Sequence, residues 1–329
     1  MASRRAFLLS GAGAFVTAAG WSRGNETTST TAVSQTTEPT PQAAPPSDRY
    51  LVGDITYRTL AQALAALRDG QTLDIAPGLH SGQAGYSRAS NITIRASAEA
   101  VFDSVYGGKA AFVLGGENVT LQNLAGVGIT NESRNGGLIR FEGRHLTATG
   151  IRIDRCETGI LTRDAADSIV KLNDVSGKEN GTPGDGQSHA IYVGACAELY
   201  VTNAYLADTS IGHLIKSRAA KNVITKCRLI EGPASRAIDI CNGGVLEISN
   251  TYLKQTQPTD NPEVIGYGAE CIKDATGARL PTYPVNTVDI AADVYCIDER
   301  VPNGTFFRAF ITPTIYSNLG IYIARDPPK

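Results

Sequence analysis

HAIYVGACA at residues 189–197 and HLIKSRAA at residues 213–220 open alike, and each begins a near-repeat of one short apolar strand. Working outward from this pair gives Ala111-Phe-Val-Leu, Gly137-Leu-Ile-Arg, Gly159-Ile-Leu-Thr, His189-Ala-Ile-Tyr, His213-Leu-Ile-Lys, Arg236-Ala-Ile-Asp and Glu263-Val-Ile-Gly. Their spacings are 26, 22, 30, 24, 23 and 27 residues. The third column of this alignment holds Val113, Ile139, Leu161, Ile191, Ile215, Ile238 and Ile265. A stack of branched aliphatic side chains at one register is what a coiled parallel sheet requires for its core.

A second strand follows each of the first six at a nearly constant offset: Asn118-Val-Thr-Leu-Gln-Asn, His145-Leu-Thr-Ala-Thr-Gly, Ser168-Ile-Val-Lys-Leu-Asn, Glu198-Leu-Tyr-Val-Thr-Asn, Asn222-Val-Ile-Thr-Lys-Cys and Val245-Leu-Glu-Ile-Ser-Asn. Its closing column reads Asn123, Asn173, Asn203 and Asn250, with Gly150 and Cys227 in the gaps. Asn tolerates the left-handed backbone of a sharp corner, and stacked amides can bond along the ladder. A third apolar step, such as Tyr205-Leu206 or Tyr252-Leu253, completes each turn. The expected fold is all-β, a right-handed parallel β-helix of about 8–10 rungs.

The ends of the coil are also marked. Residues 57–68 (YRTLAQALAALR) form an amphipathic pattern that predicts a capping helix over the open edge. Thr72-Leu-Asp-Ile-Ala-Pro-Gly-Leu-His then reads as the first strand and corner, with His80 an exposed corner residue. From Asp274 onward the pattern breaks into prolines separated by aromatic residues, which predicts a C-terminal loop cap over 276–329. The helix proper is expected over 49–275.

Ahead of it, Arg4-Arg5 and the apolar stretch Ala6–Ala19 read as a twin-arginine-type export signal, residues 1–21. Residues 22–48 are rich in Ser, Thr and Pro and predict a disordered linker. This places the protein in the periplasm or outside the cell, with no membrane attachment after processing. Lys and Arg number 30 against 32 Asp and Glu, so no basic face exists to neutralise nucleic-acid phosphates. Six cysteines in an exported chain permit disulfides, but most sit inside apolar strands and read as small buried side chains; Cys271 and Cys296, which flank a Pro-rich loop, are the pair best placed to bridge. No CxxC or CxxH spacing suggests zinc, and no other cofactor is implied.

Over residues 50–275 the chain resembles the pectate-lyase-like β-helix superfamily. The resemblance implies action on polysaccharides, as lyases and epimerases of uronic acids or as hydrolases, with a linear polymer lying along successive rungs and the protein monomeric. Column position then becomes proximity, since equivalent residues sit about 4.8 Å apart. If the third column faces in, the fourth faces out, and it reads Leu114, Arg140, Thr162, Tyr192, Lys216, Asp239, Gly266. His189, His213, Arg236 and Glu263 occupy the first column, and Arg218 lies two residues beyond Lys216. Rungs 111–165 show no comparable group, and the insertion at 178–188 is expected to overhang the patch as a lip.

The residues expected to carry catalysis are therefore His189, Tyr192, His213, Lys216, Arg218 and Asp239, with Arg236, Glu263, Tyr267 and Glu270 binding substrate. Elimination from a uronate needs cations for the C6 carboxylate, a base for the C5 proton and an acid for the leaving oxygen. Lys216, Arg218 and Arg236 suit the first role, and His189, His213 and Tyr192 the others. The expected activity is metal-independent elimination or C5 epimerisation on an acidic glycan. Two alternatives stay open: hydrolysis by Asp239 and Glu263, and a non-catalytic glycan-binding surface. For the patch itself, the rival reading is a salt-bridge ladder.

Overall fold

The computed structural model describes residues 49–181, 188–233, 235–256, 261, 263–298 and 305–316. The export signal, the linker and the tip of the predicted lip, 182–187, lie outside the described residues. The chain forms a parallel β-helix of about eight turns. One wall is a nine-stranded sheet, from Gly85–Ser87 through Ala110–Leu114, Gly137–Phe141, Ile160–Thr162, Ile191–Val193, Ile215–Ser217, Ile238–Ile240 and Glu263–Tyr267 to Thr305–Ala309. Each of these strands pairs in parallel with the next. The remaining strands form a second, bent sheet that completes every turn.

The inward column of the nine-stranded wall is Phe112, Ile139, Ile160, Ile191, Ile215, Ile238 and Ile265, in successive register. All are fully buried. Two rungs are displaced by one residue from the sequence alignment: Phe112 and Ile160, not Val113 and Leu161, face the core. The outward column is consequently Val113, Arg140, Leu161, Tyr192, Lys216, Asp239, Gly266 and Arg308, with Leu114 and Thr162 turned inward. A one-residue slip exchanges the two faces of a strand, and Ala110–Leu114 is buried at every position, so alternation gave no cue there.

The corner column of the bent sheet is Asn123, Gly150, Asp174, Asn203, Lys226 and Asn250, all with positive φ between 48° and 66°. Asp174 and Lys226 therefore replace Asn173 and Cys227 of the sequence reading. Asn203 Nδ2 donates to Asp174 Oδ1 at 2.5 Å, a polar tie between adjacent corners.

At the N-terminal end the helix Leu60–Ala66 buries Leu60, Ala63 and Leu64, and Thr59 caps it by accepting from Gln62 N at 3.2 Å. Gly85 lets it settle close, since a Cβ there would stand 2.9 Å from Leu64 Cδ1. His80 is not exposed. Its ring is buried against Phe102, 5.0 Å between centroids, with Nδ1 bonded to Tyr50 Oη and Nε2 to Ala76 O, each at 2.7 Å.

The C-terminal boundary also moves. Thr287–Ile290, Tyr295–Asp298 and Thr305–Ala309 pair in register with the preceding turn, so the coil continues past 275. The cysteines are small buried side chains of the interior, and the expected Cys271–Cys296 bridge is not formed. No described helix is long and apolar enough to cross a membrane.

Candidate functional site

The strands Ile191–Val193, Ile215–Ser217 and Ile238–Ile240 stack Tyr192 on Lys216 and Lys216 on Asp239 in the outward column. The sequence reading brings these residues together correctly, and the structure divides them into two halves of different character.

The first half is open. Lys216 Nζ and Arg218 Cζ lie 5.3 and 5.5 Å from the centre of the Tyr192 ring. Both cations also hold one carboxylate: Lys216 Nζ donates to Glu270 Oε1 and Arg218 Nη2 to Glu270 Oε2, each at 2.6 Å. Glu270 reaches them from the turn after Glu263–Tyr267, fixed by its own N–H to Cys241 O at 2.9 Å. About a third of the Glu270 and Arg218 side chains remains accessible, and Arg218 Nε has no hydrogen-bond partner. Tyr283 Oη donates to Arg218 O, so the 271–286 loop flanks the patch on its far side.

The second half is sealed. His189 and His213 stack face to face, 5.0 Å between centroids and 5° from parallel. Each accepts at Nδ1 a backbone N–H from the rung above: His213 N to His189, and Arg236 N to His213, both at 3.1 Å. These bonds put the single imidazole proton on Nε2, and His213 Nε2 faces Asp239 Oδ2 at 3.3 Å. Asp239 Oδ1 in turn takes Arg236 Nη1 at 3.1 Å, and Arg236 Nε bonds Glu263 Oε1 at 2.7 Å. Gly266 makes room for that guanidinium, since a Cβ there would meet Arg236 Nε at 2.6 Å. Phe310 covers it, with Arg236, Arg279 and Arg308 all within 5.7 Å of its ring centre.

The electrostatics follow this division. Burial, then the charges of neighbouring groups including Lys216, hold both imidazoles well below the ordinary histidine range, so both are neutral. Burial raises the Asp239 carboxyl, partly offset by Arg236 and Lys216. Burial also raises the Tyr192 phenol against the opposing charges of Arg218 and Lys216. For Glu270 burial acts upward but is outweighed by Lys216 and Arg218, and the carboxyl ends below its usual range.

Several expected roles change as a result. Neither His189 nor His213 can serve as a base in this arrangement, because the lone pair that would accept a proton already takes a backbone N–H. Arg236, Asp239 and Glu263 form the salt-bridge ladder that was the rival reading, and the two carboxylates share one guanidinium instead of facing an open cleft. Tyr267 points inward, fully buried, its Oη 2.5 Å from Gly244 O, and cannot touch a ligand on the wall. Asp239, Cys241 and Glu270 bring three donor atoms within 4.8 Å of one another. Lys216, Arg218 and Arg236 already engage the carboxylates, and burial keeps the Cys241 thiol protonated, so the set holds little attraction for a cation.

The sequence reading missed a second polar group on the same wall. Lys109 Nζ bonds Glu142 Oε1 at 2.6 Å, and Arg140 Nε lies 3.4 Å from the same oxygen. They border a recess of about 250 Å³. The signal was available in Arg140, which stands in the outward column, but Lys109 precedes the aligned strand.

No protein-family model, curated protein or solved structure matches the chain.

Proposed function

We propose that the open half of the patch recognises the carboxylate of an acidic polysaccharide and carries out β-elimination or C5 epimerisation of a uronate unit, as members of the pectate-lyase-like superfamily do on the same kind of coil. The observation that carries this reading is the Lys216–Glu270–Arg218 bridge over the Tyr192 ring, which is a carboxylate-binding site occupied by a carboxylate. A uronate carboxylate would take the place of Glu270 between the two cations. Its negative charge would then be neutralised as the C5 proton becomes acidic, the electrostatic contribution that such chemistry most needs.

Glu270, no longer held by the cations, would regain basicity and accept the C5 proton. Tyr192, kept protonated by burial, would donate its phenolic proton to the O4 leaving group as the C4–O4 bond breaks and the C4–C5 double bond forms. In epimerisation a proton returns to C5 instead. The neutral His189 ring packs edge-on against Tyr192, 5.3 Å between centroids, and orients it.

A second reading, a surface that binds acidic glycans without cleaving them, is favoured by one observation: both imidazoles are already hydrogen-bonded as acceptors. Incubation with alginate, pectate and other acidic glycans distinguishes the two. Ultraviolet absorbance of unsaturated ends marks a lyase, and deuterium uptake at C5 without cleavage marks an epimerase. Retention on the glycan with neither signal marks a binder. Tyr192→Phe is expected to lower turnover by roughly 10²–10⁴ with glycan retention unchanged. Lys216→Met is expected to weaken both. Product formation untouched by either substitution would remove the patch from the reaction.

A further inference from the structure

We propose that the recess beside Arg140 is a second binding subsite for the same acidic chain, taking a carboxylated sugar three rungs from the Lys216–Arg218 group. This rests on the reading of the wall as an acidic-glycan surface and extends it to a part of the wall with no assigned role. Arg140, Leu161, Tyr192 and Lys216 are consecutive partners in one outward column. At about 4.8 Å per rung, Arg140 stands roughly 14 Å along the coil from Lys216. A linear polymer laid along that column with one unit per rung would bring two acidic units, three positions apart, over the two cationic groups.

The recess is built in advance of any ligand. Its rims are the turn before Ala110–Leu114 and the loop before Gly137–Phe141. Glu157, almost fully buried, accepts Asn131 N and Gly136 N, both at 2.9 Å, and so fixes the second rim from beneath. Asn131 Nδ2 donates to Gly108 O at 2.7 Å and ties the two rims together. Gly137 lines the recess, and its backbone lies so close to the next rung that a Cβ would stand 1.7 Å from Thr158 O, so no side chain fits there. A volume near 250 Å³ corresponds to roughly eight waters, enough for one sugar ring and too little for a folded peptide.

The chemistry of the recess is that of an acidic sugar. Leu161 offers an apolar face to ring C–H groups, while Ser133 and Asn135 offer polar partners to hydroxyls. Lys109 and Arg140 share Glu142 as Lys216 and Arg218 share Glu270, so the same exchange of an internal carboxylate for a ligand carboxylate is available at both places. The two places are also connected: Ser188, beside His189, donates to Arg134 O at 2.8 Å and links the recess loop to the rung that carries the catalytic group.

The test is chain-length dependence of binding, by calorimetry with oligouronates from dimer to octamer and with neutral oligosaccharides of equal length. Wild type is expected to gain affinity sharply once the oligomer spans about four units. The double variant Lys109→Ala, Arg140→Ala is expected to lose about tenfold for long acidic oligomers and nothing for dimers, as one charge-assisted contact would require. Ser133→Trp, which plugs the recess and leaves the ion pairs intact, is expected to give the same loss and serves if the double variant fails to fold. Long acidic oligomers bound equally by wild type and both variants would overturn the subsite. Wild type that binds no acidic oligomer of any length would instead overturn the reading of the wall. Equal losses for neutral oligomers would overturn the carboxylate assignment.

Discussion

Arg236 is bonded to Asp239, Glu263 and Asn261 while 8% of its side chain is accessible, and Lys216 on the adjacent rung is held chiefly by Glu270. These two cations differ in what their loss leaves behind. Removing Arg236 strands two carboxylates that have no route to water, which typically costs about 3–5 kcal/mol. Removing Lys216 frees a Glu270 that is one-third accessible and still holds Arg218, for which the expected loss is below about 1 kcal/mol. Urea unfolding of Arg236→Met and Lys216→Met should therefore separate the sealed half from the open half, and equal losses would show that the division is not energetic. His213 carries a pH signature. Because its folded imidazole sits below the unfolded value, only the unfolded chain takes up the proton as pH falls below about 6.5. The stability this histidine contributes is complete above that pH and declines below it, at up to ~1.4 kcal/mol per pH unit. Asp239 and Glu231, whose carboxyls are raised by burial, work in the opposite sense over the acidic range. The quantity to measure is thus the stability difference between wild type and His213→Gln, expected to shrink by about 1 kcal/mol between pH ~6.5 and ~5.5. A difference flat with pH would mean an imidazole that titrates normally in the fold.

A turn of this coil is defined by two things, an inward column and a left-handed corner, and they were unequally legible. In Ile191–Val193 and Ile215–Ser217 a partly exposed Tyr192 or Lys216 stands between buried neighbours, so the pattern itself announces the outward face. The open half of the site follows directly from that. In Ala110–Leu114 no polar residue interrupts the apolar run, and either register fills the core, so the choice rests on packing against Gly85–Ser87 and Gly137–Phe141. Which half would be sealed was illegible for another reason: Phe310 and Gly266 act on Arg236 from rungs distant in sequence, through space that only the finished coil defines. At the corners, Asn173 and Asp174 are equally suited to positive φ, and the chain uses the second. Lys226 is the least suited of the six, since a side chain without a local polar group holds φ of 55° at a cost of about 1–2 kcal/mol. Lys226→Asn is expected to raise stability by roughly 0.5–1 kcal/mol, and Lys226→Val to lower it. The unfolding midpoints of the pair give the answer, and an unchanged or lowered midpoint for the Asn variant would argue against a strained corner.

At the scale of the molecule, a single coil must bury the interior of every turn without a second layer to cover it, and small sulfur-bearing side chains serve in that interior. Cys156, Cys196, Cys227, Cys241, Cys271 and Cys296 are all buried, and Cys296 stands in the inward row that also contains Leu253 and Leu229. Burial pushes the Cys156 and Cys196 thiols up to about 12 and Cys227 to about 11, so almost no thiolate exists near neutral pH to attack a reagent or a partner sulfur. Stability in this fold then comes from the continuous aliphatic stack, and oxidising surroundings should neither strengthen nor weaken it. The native protein is expected to react negligibly with a chromogenic disulfide reagent, to release six thiols on denaturation without reductant, and to show the same thermal midpoint with and without reductant. Fewer than six thiols after denaturation would reveal a covalent bridge and would assign part of the stability to it. Six thiols with rapid labelling of the native state would mean instead that the turns open readily, and that the coil is less continuous than its registered columns of isoleucine require.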